Sequence, residues 1–299
     1  MIMIEIFILK VQSQVTNSNW FFDKLMPSFI GAATALFVFF LTSRRDRNKE
    51  RRIKDEELDN KISYLNNLLS NVIKLTKQQS ENLQSHVNKV KENDVDFNLM
   101  TFVPLTDFVR AIETFSKEDY FIAFNRYYKD KFDTTKKFGR ILSNIDFLHA
   151  EFMEVPEILK KSLHFDNERK LQYKENVDKT ISLIGNLLYS IRGHMEPPFE
   201  ILDTIFLEFM EGLINHADIN YYNDKFVLPI NDFFVNYLSD SDNYISQVIL
   251  SIAENSRNAK QLYNDIKASN REVGSTITQI KELVDSSLEE LEQLKTEID

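Results

Sequence analysis

Five histidines are the side chains of this 299-residue chain best suited to acid–base or metal chemistry, and none has a partner at metal-site spacing. There is no HExxH, no HxxxH and no ExxH of the di-iron bundles. The nearest approach is Asp146-x-x-His149, with Glu151 and Glu154 beyond. One helical turn would bring Asp146 and His149 together, so Asp146, His149 and Glu151 are the polar-site candidates. The plainer reading is a partly buried histidine paired on an apolar stripe. His216-Ala217-Asp218 falls at a helix end and reads as a cap or loop pair. The six glycines form no phosphate loop or dinucleotide fingerprint, and there is no GxSxG. Cysteine is absent, which excludes disulfides, thiolate nucleophiles, cysteine–zinc sites and iron–sulfur clusters. No catalytic residue, cofactor or metal ligand is assigned.

The elements around these residues are more informative. Leu25 to Ser43 is uncharged, and its apolar run from Phe29 to Leu41 reaches, with its flanks, roughly the 17–20 residues that cross a bilayer core. Trp20, Phe21 and Phe22 precede it, where an aromatic belt would lie. A basic collar follows at once: Arg44, Arg45, Arg47, Lys49, Arg51, Arg52 and Lys54 against Asp46 and Glu50. A cleaved signal peptide would carry its charge before the apolar stretch, and a helix of a soluble core would not be followed by such dense charge. The stretch therefore predicts a transmembrane helix. The collar predicts contact with anionic headgroups and holds the following chain in the cytoplasm, with residues 1–24 outside an inner (plasma) membrane. Met1 to Leu9 is apolar but too short to span.

The formal charge is −10, so with +5 in the collar the remainder carries about −15. Such a body repels nucleic acid and anionic lipid, which confines membrane contact to the anchor. Six Gly and six Pro are too few for a β-rich fold and favour long helices.

From Ile53 to Glu92 there is no Gly or Pro. Ile62, Leu65, Leu69, Val72, Thr76, Gln79, Leu83, His86 and Val90 alternate three–four spacing, a heptad seam. Residues 93–103 break it. A short helix is predicted over 106–115, and Ser116 to Asp119 has capping-box spacing ahead of a helix through Phe121, Phe124 and the pair Tyr127-Tyr128. Residues 133–163 carry the stripe Phe138, Ile141, Ile145, Leu148, Phe152, Val155 and Leu159, with Pro156 expected to kink or split the helix. Asn167 would cap the next helix, through Leu171, Val177, Ile184 and Leu188. Phe199–Ile214 reads as the central helix of the body, and 218–228, with Tyr221-Tyr222, as its loosest part. Ser239 to Asp242 reads as a helix start. Beyond it the seam Ile245, Val248, Ile252, Ala259, Leu262 and Ile266 should meet a second, from Val273 to Ile298, by a stutter at Asn270. The acidic residues Glu289, Glu290, Glu292, Glu297 and Asp299 read as a solvated face. The last helix is expected to fold back antiparallel along the stalk, in preference to parallel pairing of stalks between chains.

The fold class is thus all-α. An extracytoplasmic segment (1–24) leads to a single transmembrane helix (25–43). Collar and stalk (44–92), a helical bundle (93–238) and a long coiled-coil-like helix (239–299) follow. The layout of span, collar and stalk resembles that of membrane-anchored bacterial proteins with cytoplasmic helical bodies, some of them described as phage abortive-infection proteins. The function expected is that of a membrane-tethered interaction protein: a scaffold, sensor or stress or phage-defence component. Its partners would be the bilayer, an unidentified protein and further copies of itself. A membrane-damaging effector and an enzyme with an unfamiliar bundle site are the alternatives.

Overall fold

The structure is a computed structural model that describes residues 26–102, 116–129, 133–213, 218–240 and 243–298, with side chains from Ile30 onward. The belt at Trp20, the helix expected over 106–115, and His216, Ser241, Asp242 and Asp299 lie outside the described residues. All regular structure among the described residues is helical: α1 (Met26–Glu92), α2 (Lys117–Tyr128), α3 (Thr134–Ile191), α4 (Pro197–Gly212), α5 (Ile219–Tyr222), a π-helical turn (Asn223–Val227), α6 (Leu228–Ser239) and α7 (Gln247–Ile298). The chain divides into two compact units, residues 1–64 and 65–299.

The 65–299 unit is organised by α7. Lys77 pairs with Glu292, Ser80 donates to Asp285, and Asn270 Nδ2 donates to the Asp94 carbonyl at 3.1 Å. As one number rises the other falls, so α7 runs antiparallel to the C-terminal part of α1, as expected. The same holds against α3: Lys137 pairs with Glu297, Arg140 with Glu290 at 2.6 Å, and Ser287 Oγ donates to Asn144 Oδ1 at 2.7 Å. Glu290, Glu292 and Glu297 are therefore bridges to two neighbouring helices, while Glu289 is exposed as expected. Exposed pairs of this kind stabilise little singly; burial of the apolar seams does most of the holding.

Those seams obey one rule. Every α1 position from Ile62 to Val90 on the three–four grid is buried, its polar members Thr76, Gln79 and His86 included. In α7 the buried residues Ile249, Ile252, Ser256, Ala259, Tyr263, Ile266, Asn270, Val273, Ile277, Ile280, Val284, Ser287, Leu291, Leu294 and Ile298 alternate three–four spacing, with Ala253, Gly274 and Leu288 buried beside them. This is an unbroken heptad register. Tyr263 faces inward where Leu262 was expected, and Ile245 and Val248 are exposed, so there is no stutter. Ser256 and Asn270 are seam positions that an apolar count passes over.

Five further expectations are corrected. Pro156 does not split its helix, since α3 is one helix of 58 residues. The lost backbone bond costs about 3 kcal/mol, and Phe152 and Val155 beside it stay fully buried, so packing carries the helix through. Asn167 is consequently mid-helix rather than a cap; Leu171 is 60% exposed, and Asp166 and Tyr173 hold the seam instead. α4 is peripheral, burying Phe199, Leu202 and Phe209 but leaving Ile201 58% exposed and Leu207 52%. Residues 218–228 are helical: Asp218 Oδ1 caps Tyr221 N–H at 2.8 Å, and Phe226 stacks on Phe209 with ring centres 4.4 Å apart. The π turn there lets Leu228 N–H donate to the Asn223 carbonyl just before Pro229, which has no donor. Finally, α7 starts at Gln247, with Ser246 Oγ accepting from Ile249 N–H at 3.3 Å, rather than at 239–242. The Ser116 cap forms as expected, accepting from Asp119 N–H at 3.3 Å.

Candidate functional site

The 146–154 segment does not converge on a reacting centre. The Asp146 carboxylate is exposed and 4.0 Å from Lys117 Nζ. His149 is half-buried one turn on, and Glu151 sits on another side of the helix. Partial burial, then the Glu154 charge, raises the Glu151 pKa, a direction set by desolvation and like charge without a partner to use it. Among the described residues no group of three His, Asp or Glu is placed to hold a metal ion.

A polar joint does form, at residues the sequence did not bring together. Where α1 ends, the Asn270 amide donates to the carbonyls of Asp94 and Val95 and to Asp166 Oδ1, at 3.1, 3.3 and 3.3 Å. Asp166 is buried and receives Lys170 Nζ at 2.8 Å. Asp94 is held by Arg271 at 2.5 Å and Lys267 at 3.5 Å. His86, also buried, lines a small space with Phe97, Asn98 and Asn270. Burial, then the Lys89 charge, lowers its pKa; the Asn98 backbone pulls the other way but makes no well-formed bond to either ring nitrogen. The joint thus ties α1, α3 and α7 in one register, and its chemistry is positional. The signal available in the sequence was polar residues at seam positions.

The other candidate is the first part of α1. Ile30, Leu36, Phe37, Val38, Phe39, Phe40 and Leu41 are all exposed, Phe39 by 71%. Such contiguous apolar exposure on every side of a helix is not what water selects. The Thr34 and Thr42 hydroxyls donate to the Ile30 and Val38 carbonyls at 2.7 and 2.8 Å, so these polar groups are satisfied within the helix. Arg44, Arg45, Arg47, Lys49, Arg51, Arg52 and Lys54 follow on the same helix and are all exposed. Among the described residues, no helix is long and apolar enough to cross a membrane. The stretch Leu25–Ser43 begins ahead of the first described side chain. Comparison with protein-family models, with curated proteins and with solved structures finds no match to this chain.

Proposed function

We propose that this protein is a membrane-anchored interaction module: an apolar helix in the bilayer, a basic collar at the headgroups, and a cytoplasmic helical body that acts by binding protein partners. The observation that carries the reading is the exposed apolar run from Ile30 to Leu41, continuing without a helix break into seven exposed cations. An apolar surface of that length is stable where lipid replaces water, and the cations gain from an anionic leaflet, about 1 kcal/mol each near the surface. The orientation follows from the same charge, which keeps the body on the cytoplasmic side. Defence, scaffolding and sensing are all served by such a tethered body.

The test is extraction of the full chain from cell membranes. It should resist alkaline carbonate and come out with detergent. Substituting Arg44, Arg45, Arg47, Arg51 and Arg52 by Gln should weaken the cytoplasmic preference of a C-terminal reporter. Release of the native chain by carbonate alone would sink the anchor. If overexpression of the full chain, but not of a form without 26–43, makes cells leak, membrane damage becomes the function and partner binding does not.

A further inference from the structure

We propose that the groove between α4 and α6 docks an amphipathic helix of a partner protein, apolar along one face and lysine- or arginine-rich on its flanks. The groove is open and encloses about 590 Å³, with Ile201, Ile205, Phe233 and Tyr237 among its lining residues. Pro197, Pro198 and Pro229 form part of its walls, and their fixed φ angles make the shape largely preformed. Its lip is pinned: Tyr237 hydroxyl donates to the Tyr244 carbonyl at 2.9 Å, and Asn243 Nδ2 donates to the Tyr237 carbonyl at 2.9 Å.

Charge selects the occupant. Residues 193–240 hold nine acidic residues and one lysine, and neither α4 nor α6 contains Lys or Arg. Glu196 and Glu200 are exposed and directly precede the lining residues Pro197 and Ile201 in the chain, the Glu196 charge acts on Tyr237, and Asp232 lines the groove, 3.7 Å from Lys260 of α7. An anionic lipid surface or nucleic acid would be repelled. Two such faces from two copies would set acid against acid. The chain's own basic run, 44–54, has Ile53 as its one large apolar side chain and cannot fill the groove. A basic amphipathic helix satisfies both the apolar floor and the acidic rim.

This inference rests on reading the body as a protein-binding module but not on the anchor. Carbonate extraction reports on the anchor and the following titration on the groove, so the two can fail separately. The full chain, held in a non-ionic polymer belt free of detergent, is titrated into a labelled 18-residue helical peptide. The peptide carries Leu at i, i+3, i+4 and i+7 and Lys elsewhere; a twin carries Glu in place of Lys. Ile201 is mostly exposed, so Ile201→Asp leaves the fold intact while adding a negative charge. The expected result is binding of the Lys peptide, weakened at least about tenfold by Ile201→Asp, with a shallower salt dependence in Glu196→Gln/Glu200→Gln. Unchanged or tighter binding to Ile201→Asp would mean charge attraction alone and overturn the proposal. So would equal binding of the Glu peptide, or light scattering that shows a native dimer dissolved by Ile201→Asp, which would make a second copy the occupant.

Discussion

His86 is where the interior is least comfortable. It occupies a heptad position, is 2% exposed, and neither ring nitrogen has a well-formed hydrogen-bond partner. A neutral imidazole can be buried there; an imidazolium cannot without losing solvation beside Lys89. Its folded pKa therefore lies below the ordinary 6.5. Above 6.5 both folded and unfolded states hold it neutral. As the pH falls from 6.5 toward the folded value, the unfolded chain takes up the proton first, so stability is lost over that window. His86→Leu has nearly the same volume and leaves no orphan polar atom. It should raise stability at pH 7.5 by about 1 kcal/mol and flatten the dependence between pH 7 and 5.5. Parallel denaturant melts of the two proteins over that range decide it. Equal slopes would show that His86 titrates freely and is not the buried group described.

At the scale of elements, the sequence was most legible where side chains repeat and least legible where a polar residue does a seam's job. The α1 register is legible from Ile62 to Val90 because its polar members Thr76, Gln79 and His86 keep the three–four spacing and are buried with the rest. In α7 an aliphatic count takes Leu262 in place of Tyr263 and so interrupts a register that is continuous in the structure. The same count takes Asn270 for a stutter and passes over Asp166, the two side chains that tie three helices at the joint. Punctuation failed for a different reason. Pro156, Asn167 and the 239–242 cluster are local signals, and tertiary burial on α7 overrides them at a few kcal/mol. Gly274 is a local signal with a tertiary cause. A Cβ there would stand 3.0 Å from Val90 Cγ1, so α1 approaches α7 closely at this point. Helix propensity alone would reward any larger residue by up to about 1 kcal/mol. Gly274→Leu should instead destabilise by about 1–3 kcal/mol, because the added carbons must push the two helices apart. A midpoint that rises in a denaturant melt would show that the two helices are not held at this spacing.

At the scale of the whole molecule, charge and burial are partitioned between the two units. Apart from Ile62, the buried apolar residues all fall within 65–299, while the exposed run Ile30–Leu41 and the collar fall before it. Residues 65–299 carry 38 acidic and 26 basic residues, a charge that opposes aggregation. They also contain, Ile62 apart, both sides of the helix seams: α7 pairs with α1 and α3 at one end, where Leu291 and Leu294 are buried, and at the other joins Ile249 and Ile252 to the aromatic cluster of Phe209, Phe226 and Phe234. Because one 52-residue helix belongs to both regions, neither can lose its core while the other keeps α7 in place. A chain beginning at Leu65 should therefore remain in solution without detergent, give a far-UV spectrum of helical shape and unfold in one transition, although it exceeds the size at which single transitions are the rule. Calorimetry checks this by comparing the measured heat with that inferred from the sharpness of the transition. Two resolved transitions would mean that α7 breaks near Asn270 and that the regions are separate folding units. A β-type spectrum would overturn the helical architecture itself.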